Sequence, residues 1–153
     1  MLFNFPGVCL FVAGYILLRE RAVFTNCEYE QALEAFERAL RLNPHHPSIF
    51  YNKGNTLRKR QQDEEALLAY EQALQLDPQN AIWYVDKGSA LLLLERPQEA
   101  QVALERALQL VPGPAGMYQP AMVYRLLGSA LQRLGRTEEA QQAYEKARQW
   151  DKN

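Results

Sequence analysis

Histidine and cysteine are scarce in this chain, with two of each among 153 residues. Metal centres and nucleophilic dyads draw heavily on these side chains, so there is little from which to build either. Cys9 and Cys27 lack metal-ligand spacing, and a chain of this length does not depend on disulfide staples, so both read as free thiols. His45 and His46 lie side by side between Pro44 and Pro47, a polar turn with no third ligand beside it, and no metal is expected there. An excess of charge is also missing: 17 Lys and Arg against 18 Asp and Glu give a net charge of −1. Binding to a phosphate backbone needs a basic surface, so nucleic acid is not an expected partner. The one basic run, Arg58-Lys59-Arg60, is followed at once by Asp63, Glu64 and Glu65. Neither a phosphate-binding glycine loop nor a GxSxG or HExxH motif occurs. No cofactor and no catalytic activity are expected.

What the chain has is repetition. Ala66, Tyr70, Ala73 and Pro78 are followed by Ala100, Leu104, Ala107 and Pro112, a step of 34 residues. Ala32, Phe36, Ala39 and Pro44 fit the same spacing upstream, and Ala140, Tyr144 and Ala147 follow downstream after a longer step of 40 residues. Before the first alanine of the last three copies lie Gly54, Gly88 and Gly128, each preceded by an aromatic residue, Phe50, Tyr84 or Tyr124. Spacings of three, four and seven put residues on one face of a helix, so each copy reads as two amphipathic helices, a hairpin. The prolines after Leu42-Asn43, Leu76-Asp77 and Leu110-Val111 end the second helices. Mid-helix glycine costs about 1 kcal/mol against alanine, and close packing of Gly54, Gly88 and Gly128 against the small alanines of the second helices is the expected compensation. Phe50, Tyr70, Tyr84, Leu104, Tyr124 and Tyr144 are expected to fill the remaining space. The acidic pairs Glu64-Glu65 and Glu138-Glu139 open second helices after Asp63 and Thr137, where carboxylates suit the positive helix end.

The segments YNKGNTLRKRQQDEEALLAYEQALQLDPQN and YVDKGSALLLLERPQEAQVALERALQLVP resemble tetratricopeptide repeats, over residues 13–153 in all. The resemblance implies an all-α fold, a right-handed α-solenoid of stacked helix-turn-helix hairpins with three clear repeats and one degenerate N-terminal repeat. The expected organisation is an apolar segment over 1–12, repeats over 13–46, 47–80, 81–114 and 121–153, and an insertion at 115–120. Lys53 and Lys87 stand where the family pattern has leucine before the glycine. In the first copy the opening helix AGYILLRERAVFTN has Glu20 in the glycine's place.

The ends of the array differ. Arg148 replaces the apolar residue that earlier copies carry as Leu40, Leu74 and Leu108, as suits a terminal repeat facing water, although Trp150 stands where Leu42, Leu76 and Leu110 stood. Residues 1–18, MLFNFPGVCLFVAGYILL, carry no charged side chain, and RER follows. The run is expected to supply the first helix of the first repeat; a membrane anchor, with the rest of the chain cytoplasmic, is the alternative, against which Pro6-Gly7 interrupts the run. The PGPAGMYQP stretch reads as a spacer, or as a lip presenting Met117 and Tyr118.

The resemblance also implies a function: a non-catalytic adaptor that binds a peptide or helix of another protein in a concave groove lined by the first helix of each repeat. The expected lining is Ser48, Tyr51, Asn55 and Arg58, then Ile82, Val85, Ser89 and Leu92, then Met122, Arg125, Ser129 and Gln132. Arginines flanking apolar side chains favour a partner segment with acidic and apolar residues. Family members that dock the C-terminal carboxylates of cytosolic heat-shock chaperones use lysine, asparagine and arginine across three first helices. Here only Asn52 matches, with Leu17, Arg21, Ile82 and Asp86 in the other places, so a chaperone tail is not an expected ligand. The alternative function is an assembly subunit that attaches to a membrane or to a second copy of itself through residues 1–18.

Overall fold

Helices alone make up the regular structure among the described residues, 26–110 and 119–152 of the computed structural model. There are seven: α1 (Asn26–Leu42), α2 (Pro47–Lys59), α3 (Asp63–Leu76), α4 (Ala81–Leu93), α5 (Pro97–Leu110), α6 (Pro120–Arg133) and α7 (Thr137–Trp150). The chain divides into two compact units, Met1–Leu76 and Asp77–Asn153. In the first, α2 and α3 form a hairpin and α1 packs on α2. In the second, α4–α5 and α6–α7 are hairpins, and α6 packs on α5 and touches α4. Residues 1–18 and the Met117-Tyr118 lip lie outside the described residues, as does the first copy's opening helix short of Asn26. No helix among the described residues is long and apolar enough to cross a membrane.

The alanine pattern is the hairpin seam. Ala66, Tyr70 and Ala73 on α3 and Ala100, Leu104 and Ala107 on α5 are fully buried, and Ala140, Ala143 and Ala147 on α7 nearly so. α1 and α3 stop at Leu42 and Leu76, ahead of Pro44 and Pro78, whose rings cannot continue a helix. Pro47 and Pro120 open α2 and α6, where the missing N–H is no loss.

The helix glycines correct the expectation of small facing small. A Cβ built on Gly54 would come within 2.7 Å of Tyr70 Cε1, on Gly88 within 2.7 Å of Leu104 Cγ, and on Gly128 within 2.7 Å of Tyr144 Cε1. Each glycine thus makes room for the bulky side chain that stands between the seam alanines of the facing helix, Tyr70, Leu104 or Tyr144. The aromatic or leucine between the two alanines needs that space, which is why the glycine sits a fixed distance before them.

Each hairpin turn is closed by the same backbone device. The N–H of Gln61 bonds the Arg58 carbonyl and that of Gln62 the Leu57 carbonyl; Glu95 and Arg96, then Gly135 and Arg136, repeat this on Leu92 and Leu91, and on Gln132 and Leu131. This is the Schellman pattern, which requires a left-handed residue just past the helix. Gln61 (φ 61), Glu95 (φ 54) and Gly135 (φ 74) occupy it.

The next helix begins with a second repeated device. The carbonyls of Gln62, Arg96 and Arg136 accept the N–H groups of Ala66, Ala100 and Ala140, so these three residues, not Asp63 and Thr137, take the capping place. No side-chain cap is made at Arg136. Instead its guanidinium reaches forward to both oxygens of Glu139, at 2.7 and 2.6 Å, as Arg96 does to Glu99, at 2.7 and 2.8 Å, and Gln62 more loosely to Glu65, at 3.5 Å. The acidic residues still stand in the first turns, where the helix dipole favours them.

Candidate functional site

A stride of four and three along α2 carries Tyr51, Asn55 and Arg58 down one stripe, and all three are half-buried. The Asn55 side-chain oxygen accepts a hydrogen bond from the buried Tyr70 hydroxyl at 2.7 Å, and the Tyr51 ring lies 5.9 Å from the Tyr70 ring. Asn55 is therefore partly committed to holding its own hairpin, because a buried hydroxyl left unpaired is costly. On the same helix Lys53, standing in the family's leucine position, pairs with Glu37 of α1 at 3.6 Å. Polar pairing there joins two helices that leucine would join by packing.

In the second unit the expected stripe divides. Ile82, Ser89 and Ser129 are half-buried. Met122 is 45% exposed, and Arg125, also exposed, donates to Asp151 at 2.5 Å. Val85 and Leu92 were expected as apolar contacts, yet they are 6% and 5% exposed. Val85 belongs to the apolar cluster that includes Leu104, Ala107, Val123 and Leu127, so it holds α4, α5 and α6 together and is not open to a partner. At the end of α4 the Leu92 carbonyl accepts the Arg133 guanidinium at 2.6 Å, and Arg133 also reaches Glu95 at 2.9 Å. The accessible apolar residue there is the next one, Leu93, 60% exposed. Leu93 was not among the expected contacts. Its signal was the run of four leucines, Leu91 to Leu94, of which one helix cannot bury every member against the same neighbour.

His45 is exposed and His46 precedes α2 at its N-cap, and among the described residues no three His, Cys, Asp or Glu side chains are grouped to hold a metal. The resolved carboxylate shifts belong to the helix-start pairs. Hydrogen bonding from Arg96 holds Glu99 below the usual carboxylate range, and Arg136 does the same to Glu139. Both acids are exposed and already engaged, which suits a structural role rather than proton transfer.

Two family models described as tetratricopeptide repeat match the chain, one over residues 21–81 and the other over residues 79–152. No curated protein matches it in sequence. Among solved structures, a crystal structure of MamA is similar with a TM-score of 0.78 at 19% identity, covering 94% of this chain and 77% of that one. A second, of MamA from residue 41 to its end from Desulfovibrio magneticus RS-1, gives 0.77 at 24% identity, over 94% of this chain and 74% of that one. A third, a MamA RS-1 ArsTM double mutant, gives 0.79 at 23%, over 93% and 73%. At these identities the likeness carries the fold, an α-solenoid of helical hairpins, and nothing beyond it.

Proposed function

The chain belongs to the tetratricopeptide repeat family, whose members are protein-interaction modules, and from that membership we propose that it is a non-catalytic adaptor. The first helices of each unit, α2 in the first and α4 and α6 in the second, offer surface to a peptide or helix of another protein that carries acidic and apolar residues. The observation that supports this reading most is at α6: the exposed Met122 stands one turn from Arg125, and Arg125 already grips a carboxylate, that of Asp151. An apolar anchor beside a guanidinium that accepts a carboxylate is the recognition chemistry the partner requires. Tyr51 and Arg58 offer the same combination on α2, and Ile82, Ser89 and Ser129 add half-buried contacts on α4 and α6. Leu93 takes the apolar part first assigned to Val85 and Leu92.

Exposed ion pairs contribute only about 0.2 to 1 kcal/mol each, so affinity comes mainly from the apolar anchors and weakens modestly with salt. Micromolar binding, about 8 kcal/mol, is the scale such a surface reaches. Pulldowns with wild type, Arg58→Glu/Arg125→Glu and a control change on a second helix, Gln141→Glu, test the proposal. The control should keep the partners, while the groove variant, folded by its circular dichroism, should lose them. Retention by both variants would move the binding surface elsewhere, and detergent-dependent solubility relieved by deleting residues 1–18 would then support the assembly-subunit reading.

A further inference from the structure

The two hairpins of the second unit share one plan, so side chains 40 residues apart occupy matching places. Differences between them isolate what belongs to one hairpin alone. In α6–α7 the Lys146 ammonium lies over the Tyr124 ring, 5.6 Å from its centroid, and the neighbouring Gln142 is polar. The matching residues of α4–α5 are Arg106, Tyr84 and Val102. There Arg106 turns to Gln109, donating at 3.2 Å, and the space beside Tyr84 is an open groove of about 500 Å³.

The groove's lining has a definite chemistry. Tyr84, Val102 and Ala103 supply apolar surface, and Val102 is 67% exposed although it is aliphatic. Lys87 and Arg106 supply positive charge, Lys87 in the place where the last hairpin has the buried Leu127. The one acid in the lining, Glu99, is held through both oxygens by Arg96. A cationic groove with an aliphatic floor, in a chain whose net charge is −1, selects against basic segments and in favour of acidic ones. Its volume suits a few side chains of an extended or helical segment, in the range of ordinary ligand clefts.

We propose that the groove between α4 and α5 is a second interaction surface, separate from the first-helix stripe, which takes a peptide segment with carboxylates flanking an aliphatic side chain. The aliphatic group rests on the exposed Val102 against the Tyr84 ring, and a carboxylate meets Arg106. The chain then holds two partner segments at once, the property that distinguishes a scaffold from a single-site adaptor.

The test is an amide-shift titration of the full, isotopically labelled chain with a short synthetic peptide alternating glutamate and leucine, beside one alternating lysine and leucine. The acidic peptide is expected to shift the amides of Tyr84, Val102, Ala103 and Arg106, and the basic peptide to leave them in place. Val102→Glu/Arg106→Glu alters exposed or half-exposed positions and should keep the native spectrum while weakening the response about tenfold, the loss of one ion pair and one apolar contact. Shifts confined to Tyr51, Met122 and Arg125 would overturn this proposal and leave the first-helix reading standing. So would an equal response to the basic peptide, no shift at the groove at the highest soluble peptide concentration, or unchanged binding by the double variant. An equal response to inorganic polyphosphate would reduce the groove to a general anion surface and likewise overturn it.

Discussion

An alanine at Gly54 would set its Cβ 2.7 and 2.8 Å from the Tyr70 ring and 3.2 Å from the Ala66 carbonyl oxygen. Tyr70 is fully buried and its hydroxyl is tied to Asn55, so the ring has nowhere to move. Overpacking of this kind costs about 1–3 kcal/mol, against a helix-propensity gain of about 1 kcal/mol. Gly128 faces Tyr144 at similar distances, but Tyr144 is half-buried and its hydroxyl bond to Gln132 is longer, 3.2 Å, so that ring can yield. Gly54→Ala should therefore lower the denaturant midpoint clearly and Gly128→Ala far less; equal losses would contradict the argument from ring mobility. The left-handed turn positions give a second prediction. Gly135 has open space around its missing Cβ, so Gly135→Ala should cost about 1 kcal/mol from backbone strain alone. Gln61→Gly and Glu95→Gly relieve the same strain and should stabilise by about 0.5–1 kcal/mol in the same unfolding assay. The need for a glycine before each alanine pair was legible in the sequence, but its reason was not. Spacing places a glycine on a face without saying which residue of the facing helix it meets.

Helix starts carry the electrostatics. Arg96–Glu99 and Arg136–Glu139 span the first turns of α5 and α7, and each lowers the acid's pKa by hydrogen bonding. A carboxylate whose folded pKa lies below its unfolded value adds stability at pH above the unfolded value, about 4.3 for Glu, and loses it as pH falls through the folded one. Titration of side-chain carboxyl resonances should place the midpoints of Glu99 and Glu139 below that ordinary value, and Arg96→Gln should return Glu99 toward it; an unshifted midpoint in wild type would remove the pairs from the account. At this scale the second helices were readable, since alanines at fixed spacing mark them and, in the first three copies, a following proline ends them. The first helices were readable as helices but not as surfaces. Val85 and Leu92 share the stride of Arg125 and Gln132, yet both are buried, Val85 in the cluster with α6, and only packing reveals that Leu93 is the exposed neighbour.

Across the whole chain, repetition made the family legible, because a hairpin that cannot bury its own apolar face implies neighbours that will. The partner was not legible, since the contacts proposed for it are single side chains, exposed or half-buried, whose chemistry obeys no period. Asp151 and Arg125 form an exposed pair, which the carboxylate of the proposed partner segment would have to displace. Asp151→Asn should therefore strengthen binding of an acidic segment up to about fivefold, the equivalent of one exposed ion pair, as read by titration with a captured partner. The central claim is that the first helices carry the recognition. Amide hydrogen exchange of the full chain, with and without a purified partner, addresses it most directly. Slowed exchange along α2, α4 and α6 on binding is the expected result; protection confined to α3 and α7, with the first helices unchanged, would contradict that claim.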